Sequence, residues 1–209
     1  MDNECVRRLI RLDKNILVFS GNVLANTLRK CMHKLEFSDN VFLVIYEGWD
    51  DISGNQFMAV CKPLMSVHHN DDFSENEKNE IWQLIKENDL FEKRAETYVV
   101  KILRAIVEKQ EIELMGIFFH EIRHVQQIIY TKGANTYESL CSRLEEATHK
   151  KSELQDLKFE KDAIIYSRYK LREIGFSESE IKSFLKEYSL SRWEQFMYSK
   201  LSTVAEAVS

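Results

Sequence analysis

Ile-Glu-Leu-Met-Gly-Ile-Phe-Phe-His-Glu-Ile-Arg-His-Val-Gln-Gln-Ile-Ile-Tyr, residues 112–130, is an oily helical run that carries polar groups at a fixed spacing. On an α-helix, His120 and His124 stand one turn apart on the same face, where both imidazoles can reach one ion. Glu121 lies beside the first of them, in the position of a general base. This H-E-x-x-H spacing is that of a zinc-site helix. Leu114, Met115, Ile117, Phe118, Phe119, Ile122, Val125, Ile128 and Ile129 cover nearly the whole circumference, which predicts a buried helix. A carboxylate and two imidazoles buried without partners would cost several kcal/mol, and a divalent ion is the simplest partner for all three. The competing reading makes His120 and His124 hydrogen-bonded core histidines, with Glu121 paired to Arg123 or another cation.

Zinc that works on a substrate takes three protein ligands and an open position. The stretch 125–137 holds no histidine, so a third ligand should be a carboxylate on a later helix. Glu160, in Phe159-Glu160-Lys161-Asp162-Ala163, is the first choice, with Asp156 one turn before it. Glu145, beside Glu146, is the alternative.

His120–Gln127 followed by Glu160-Lys161-Asp162-Ala163 resembles the zincin-type metallopeptidases of the gluzincin kind, over about residues 96–172. Those enzymes pair H-E-x-x-H, often with a Gln three residues later, with a downstream helix carrying E-x-x-A or E-x-D-A. The resemblance implies zinc held by His120, His124 and Glu160, with Glu121 as general base. It also implies a tyrosine or histidine that donates to the developing oxyanion. Tyr166 is the candidate, Tyr169 stands behind it, and core packing is the rival role for both. One departure stands out. Many gluzincins carry an acid four positions after the ligand glutamate to orient a histidine, and here that position is Ile164. Asp156 is the expected substitute acceptor; Asp162, about 200° around the helix from Glu160, is the weaker one.

Other histidines have plainer readings. His68 and His69, with Asp71 and Asp72, make either a metal loop or a polar surface loop, and His149 sits in a solvated charged helix. The charge run 145–151 reads as a solvated face.

The 209 residues and 24.7 kDa suit a single domain. With 44% apolar residues the chain can bury a core, and a net charge of −5 without a basic stripe argues against nucleic acid as partner. Cys5, Cys31, Cys61 and Cys141 form no C-x-x-C pair, which predicts free thiols in a reducing cytoplasm. Ile16–Phe19 is too short for a signal-peptide core, and no run approaches a membrane span.

The expected fold is α+β and mostly α. A small N-terminal β-hairpin or sheet (1–72) packs on a zincin-like helical core (73–175), followed by a helical C-terminal appendage (176–209). Residues 1–14 read as irregular, Asn15–Ser20 as a short strand and Val23–Leu35 as a helix. Val41–Tyr46 and Gln56–Lys62 read as the two strands of a hairpin, the first of them central. Ser74-x-x-Glu77 is a capping box opening a helix that Asp89 ends. Ala95–Glu108 reads as a helix, the motif helix as ending at Gly133, and Tyr137–Ile174 as a long helix stopped by Gly175. Ser177-x-x-Glu180 opens Ile181–Tyr188, and a last helix spans Arg192–Leu201.

The expected function is zinc-dependent cleavage of a peptide or protein substrate. The alternatives are a non-catalytic zincin-fold regulatory or interaction protein, another zinc hydrolase, and a purely structural helical protein.

Overall fold

The oily run at 41–46 becomes the middle of a five-stranded mixed sheet. In the computed structural model, residues 7–35, 40–48, 58–90, 92–131 and 152–185 are described, with the backbone alone at 94, 130, 131 and 152–161. The strands are β1 (Arg8–Asp13), β2 (Ile16–Ser20), β3 (Phe42–Gly48), β4 (Ala59–Pro63) and β5 (Thr97–Leu103). They lie in the order β1-β2-β3-β5-β4. β2, β3 and β5 run parallel, while β1 and β4 pair antiparallel at the two ends. All seven residues of β3 are buried, as a strand covered on both faces requires.

Helices cover both faces. They are α1 (Asn22–Cys31), α2 (Leu64–Val67), α3 (Glu75–Glu87), α4 (Arg104–Val107), α5 (Glu111–Thr131) and α6 (Ser152–Glu173), then α7 over 178–185. Val18, Leu43, Ile45, Val100 and Ile102 share one core with Leu24 and Leu28 of α1 and with Ile117, Phe118 and Ile122 of α5. Leu17, Val44, Tyr46 and Val99 face the other way, onto Leu64 of α2 and Ile81 and Ile85 of α3. α6 packs along α5, and α5 lies against β4 and β5. The motif helix is therefore sandwiched between the sheet and another helix.

Three expectations need correction. Ala95–Glu108 is not a helix: Thr97–Leu103 is β5, and only Arg104–Val107 is helical. A parallel strand buried on both faces has no apolar alternation, so Tyr98-Val99-Val100 and Ile102 mimic helical spacing. Val41–Lys62 is not a hairpin either, because β5 lies between β3 and β4. The hairpin is β1–β2: Asn15–Ser20 is the expected strand, and its partner β1 lies in residues 1–14, expected to be irregular. Asp13 Oδ1 accepts from Lys14 N at 2.6 Å, and Lys14 O accepts from Arg11 NH1 at 2.8 Å. The sheet is thus larger and more central than the small N-terminal hairpin or sheet expected against a helical core. The α+β class itself holds.

Several boundaries fall where local chemistry puts them. Ser74 Oγ accepts from Glu77 N at 3.2 Å and Glu77 Oε2 from Ser74 N at 2.9 Å, a complete capping box for α3. Ser177 and Glu180 make the same exchange at the start of α7. Asp89 after α3 has φ +57°, and Gly175 after α6 has φ +104°. Phe176 N then reaches Leu171 O at 3.2 Å, the six-residue bond of a glycine-terminated helix. The stretch 132–151, with the expected Gly133 stop, and 186–209, with the expected final helix, lie outside the described residues.

Charges are also buried beneath α3 and α1. Lys101 of β5 and Glu77 of α3 pair at 2.8 Å with side-chain exposures of 3% and 5%. Lys101 Nζ also donates to Asp72 O at 2.8 Å. Glu47, at the end of β3, accepts from Gly21 N at 2.9 Å through Oε2, a carboxylate at the N-terminus of α1. Cys31 and Cys61 are buried free thiols, and burial pushes the Cys31 thiol up to about 12. Among the described residues no helix is long and apolar enough to cross a membrane.

Candidate metal centre

α5 supplies the site, and its neighbours fix how deep the site lies. At Gly116 a Cβ would come 2.4 Å from the ring of Phe184 on α7, so only glycine admits that ring without displacement. Ser167 of α6 donates its Oγ hydrogen to Gly116 O at 2.7 Å. These contacts press α6 and α7 onto the first half of α5. Ala163 of α6 is fully buried, as are Phe118, Phe119 and His120.

His120 is 0% exposed and Glu121 2%, while His124 is half-buried. The two imidazoles stand edge to face, with ring centroids 4.6 Å apart and an interplanar angle of 81°. Their Nε2 atoms approach to 2.9 Å, so the two rings turn the same nitrogen toward each other. A tetrahedral zinc with Zn–N bonds of about 2.0–2.1 Å would separate two ligand nitrogens by roughly 3.3 Å, a few tenths more than this. Two side-chain rotations of a few degrees would open that gap. The pair thus offers two of the nitrogen donors that a zinc site takes. The same distance also suits a direct hydrogen bond between the rings.

Around His124 runs a polar array that continues onto α6. Gln127 Oε1 lies 2.8 Å from His124 Nδ1. Gln127 Nε2 donates to Asp162 Oδ2 at 2.8 Å. Arg123 grips the same carboxylate with both arms, Nε to Oδ2 at 2.7 Å and NH2 to Oδ1 at 3.2 Å. The Arg123 bonds, seconded by Gln127, hold the Asp162 carboxyl below its ordinary range against a smaller opposing effect of burial. Arg123 NH1 also donates to Gln126 Oε1 at 2.9 Å.

Sequence reasoning ranked Asp162 behind Asp156, yet Asp162 meets the motif helix; the Asp156 side chain is outside the described residues. Arg123 and Gln127 are long enough to reach an acid off the ligand face, and a cation and two carboxamides inside an oily helix were the available signal. Arg123, expected as a partner for Glu121 if no metal is bound, binds Asp162.

Tyr166, the candidate oxyanion donor, accepts from Gln126 Nε2 at 3.3 Å, and its ring lies beneath the Arg123 guanidinium at 5.2 Å. Tyr169 is exposed. His68 stacks on Trp82 at 4.8 Å and 14°, and Asn70 Oδ1 accepts from Asp72 N at 2.8 Å, the bonds of a packed turn. Asp72 pairs with Lys62 at 3.3 Å. Glu160 belongs to helical backbone of α6, but its side chain, like Glu145, Glu146 and His149, is outside the described residues. Among the described residues no three His, Cys, Asp or Glu side chains are gathered as a metal would need.

The fold and site thus define an α+β protein with a buried and a half-buried histidine paired on a helix that lies between a mixed sheet and a second long helix. No protein-family model matches the chain, and neither a curated protein nor a solved structure shows significant similarity to it.

Proposed function

We propose that the protein is a zinc-dependent peptidase of zincin-like design, with His120, His124 and Glu160 holding the metal. The observation that carries this reading is the convergence of the His120 and His124 Nε2 atoms, 2.9 Å apart, on a buried helix where Glu121 is the next residue. Helical register supports Glu160. Position 160 precedes Ser167 by about 10 Å of helix rise, and His124 follows Gly116 by about 12 Å. Ser167 and Gly116 touch, so position 160 is level with His124 across the α5–α6 contact. Glu145 remains the alternative third ligand.

Bound zinc would polarise the scissile carbonyl and make water acidic enough to react near neutral pH. The protein's own part is proton handling and positioning. The Glu121 carboxylate takes the proton of the attacking water and delivers it to the leaving amine. Tyr166 is the candidate donor to the developing oxyanion, a role that would require its hydroxyl to leave Gln126. β4, the terminal strand beside α5, is the strand along which an extended peptide would pair.

The test is a mixed peptide library incubated with the zinc-loaded protein, with and without a chelator, and read by mass spectrometry. New termini that vanish with chelator are expected. A protein that holds one zinc and cuts nothing would refute the peptidase. A second reading has its own support: the histidine pair at hydrogen-bond distance suits a non-catalytic interaction protein on the same scaffold. Ester substrates added to the same assay separate a peptidase from another zinc hydrolase.

A further inference from the structure

A chain of obligatory donors and acceptors runs from α6 to His124. Asp162 is a carboxylate held ionised by the Arg123 fork, so it can only accept. The carboxamide of Gln127 must therefore turn its NH2 end toward Asp162 Oδ2, 2.8 Å away. That leaves Gln127 Oε1 facing His124 Nδ1 at 2.8 Å. A carbonyl oxygen can only accept, so Nδ1 must carry a hydrogen, and in the neutral ring Nε2 then carries the lone pair. That lone pair faces His120 Nε2, 2.9 Å away.

We infer that Arg123, Asp162 and Gln127 form a positioning relay that sets the tautomer and ring orientation of His124, presenting its Nε2 as a metal ligand. The inference rests on the metal-centre reading for its purpose, but the tautomer of the neutral ring follows from the hydrogen bonds. The acid of the relay is Asp162. The acid acts from two residues after Glu160, through an intervening carboxamide, and orients a histidine on the other helix. Asp162 touches no reacting atom in this scheme.

The test compares wild type, Asp162→Asn, and the double variant Gln127→Glu/Asp162→Asn. In Asp162→Asn the carboxamide of Gln127 is free to turn over and offer its NH2 end to His124. Nitrogen-15 spectra of the metal-free protein should then show Nδ1–H on His124 in wild type and a shift toward Nε2–H in Asp162→Asn. Zinc affinity, measured by competition with a chromophoric chelator, should fall about 10–100-fold. In the double variant a carboxylate at 127 accepts from Nδ1 whatever stands at 162, and most of the lost affinity should return. A mere clamp between α5 and α6 would lower the melting temperature of both variants, leave the tautomer alone and show no rescue. Unchanged tautomer and affinity in Asp162→Asn, or no rescue in the double variant, would overturn the relay. A wild type that takes up no zinc would sink the metal centre, and the spectra would still decide the relay by themselves.

Discussion

Glu121→Gln should fold normally, keep its zinc and lose peptide cleavage by about 10²–10⁴-fold, the range that a positioned general base contributes. The amide has the shape of the carboxylate, so a side chain only 2% exposed can be replaced without a cavity. It cannot take a proton from water at neutral pH. Zinc content by elemental analysis and kcat/KM on a peptide identified from the library would be measured side by side. Loss of zinc along with activity would move Glu121 from base to ligand. Turnover equal to wild type would remove it from the mechanism.

Lys101→Met should cost about 3–5 kcal/mol of stability, the largest effect expected away from the site. The substitution keeps an apolar side chain out to the ε-carbon and deletes the ammonium that pairs with Glu77 at 2.8 Å. A carboxylate 5% exposed is then left in the interior beside Gly48, where a Cβ would already meet Glu77 Oε1 at 2.8 Å. Glu77→Gln in the same chain removes the stranded charge, and its amide oxygen can still accept from Ser74 N in the capping box. The double variant should therefore recover most of the loss. Urea unfolding with an unchanged slope would read both numbers. A single variant within about 1 kcal/mol of wild type would show that the pair contributes little beyond its own desolvation.

How far the sequence could be read depends on where each element's information lies. α3 was legible because Ser74, Glu77 and Asp89 specify its ends locally. α5 was legible because its apolar residues run on all sides over 21 residues, too long for a strand. β5 was not, because burial on both faces erases the alternation that marks a strand, and Arg104–Val107 adds a true helical turn to its end. β3 and β4 were each found, but pairing is a long-range property, and inserting β5 between them leaves no local trace. β1 was missed because its exposed arginines hide a strand stabilised by pairing with β2.

The site divides in the same way. The helical repeat alone puts His120 and His124 on one face, and the structure brings their Nε2 atoms together. The Asp162 array was overlooked because it depends on the reach of Arg123 and Gln127 across a helix–helix contact, which sequence spacing within one helix cannot express.

The central claim is that His120 and His124 share a metal ion. Protein purified without chelator, passed through a desalting column and analysed for metals should carry close to one zinc per chain. The His120→Ala and His124→Ala variants should carry essentially none while keeping the far-ultraviolet spectrum of wild type. Absence of stoichiometric zinc in the wild type, with no uptake on titration, would contradict the account and leave the two rings as a hydrogen-bonded pair in a structural core.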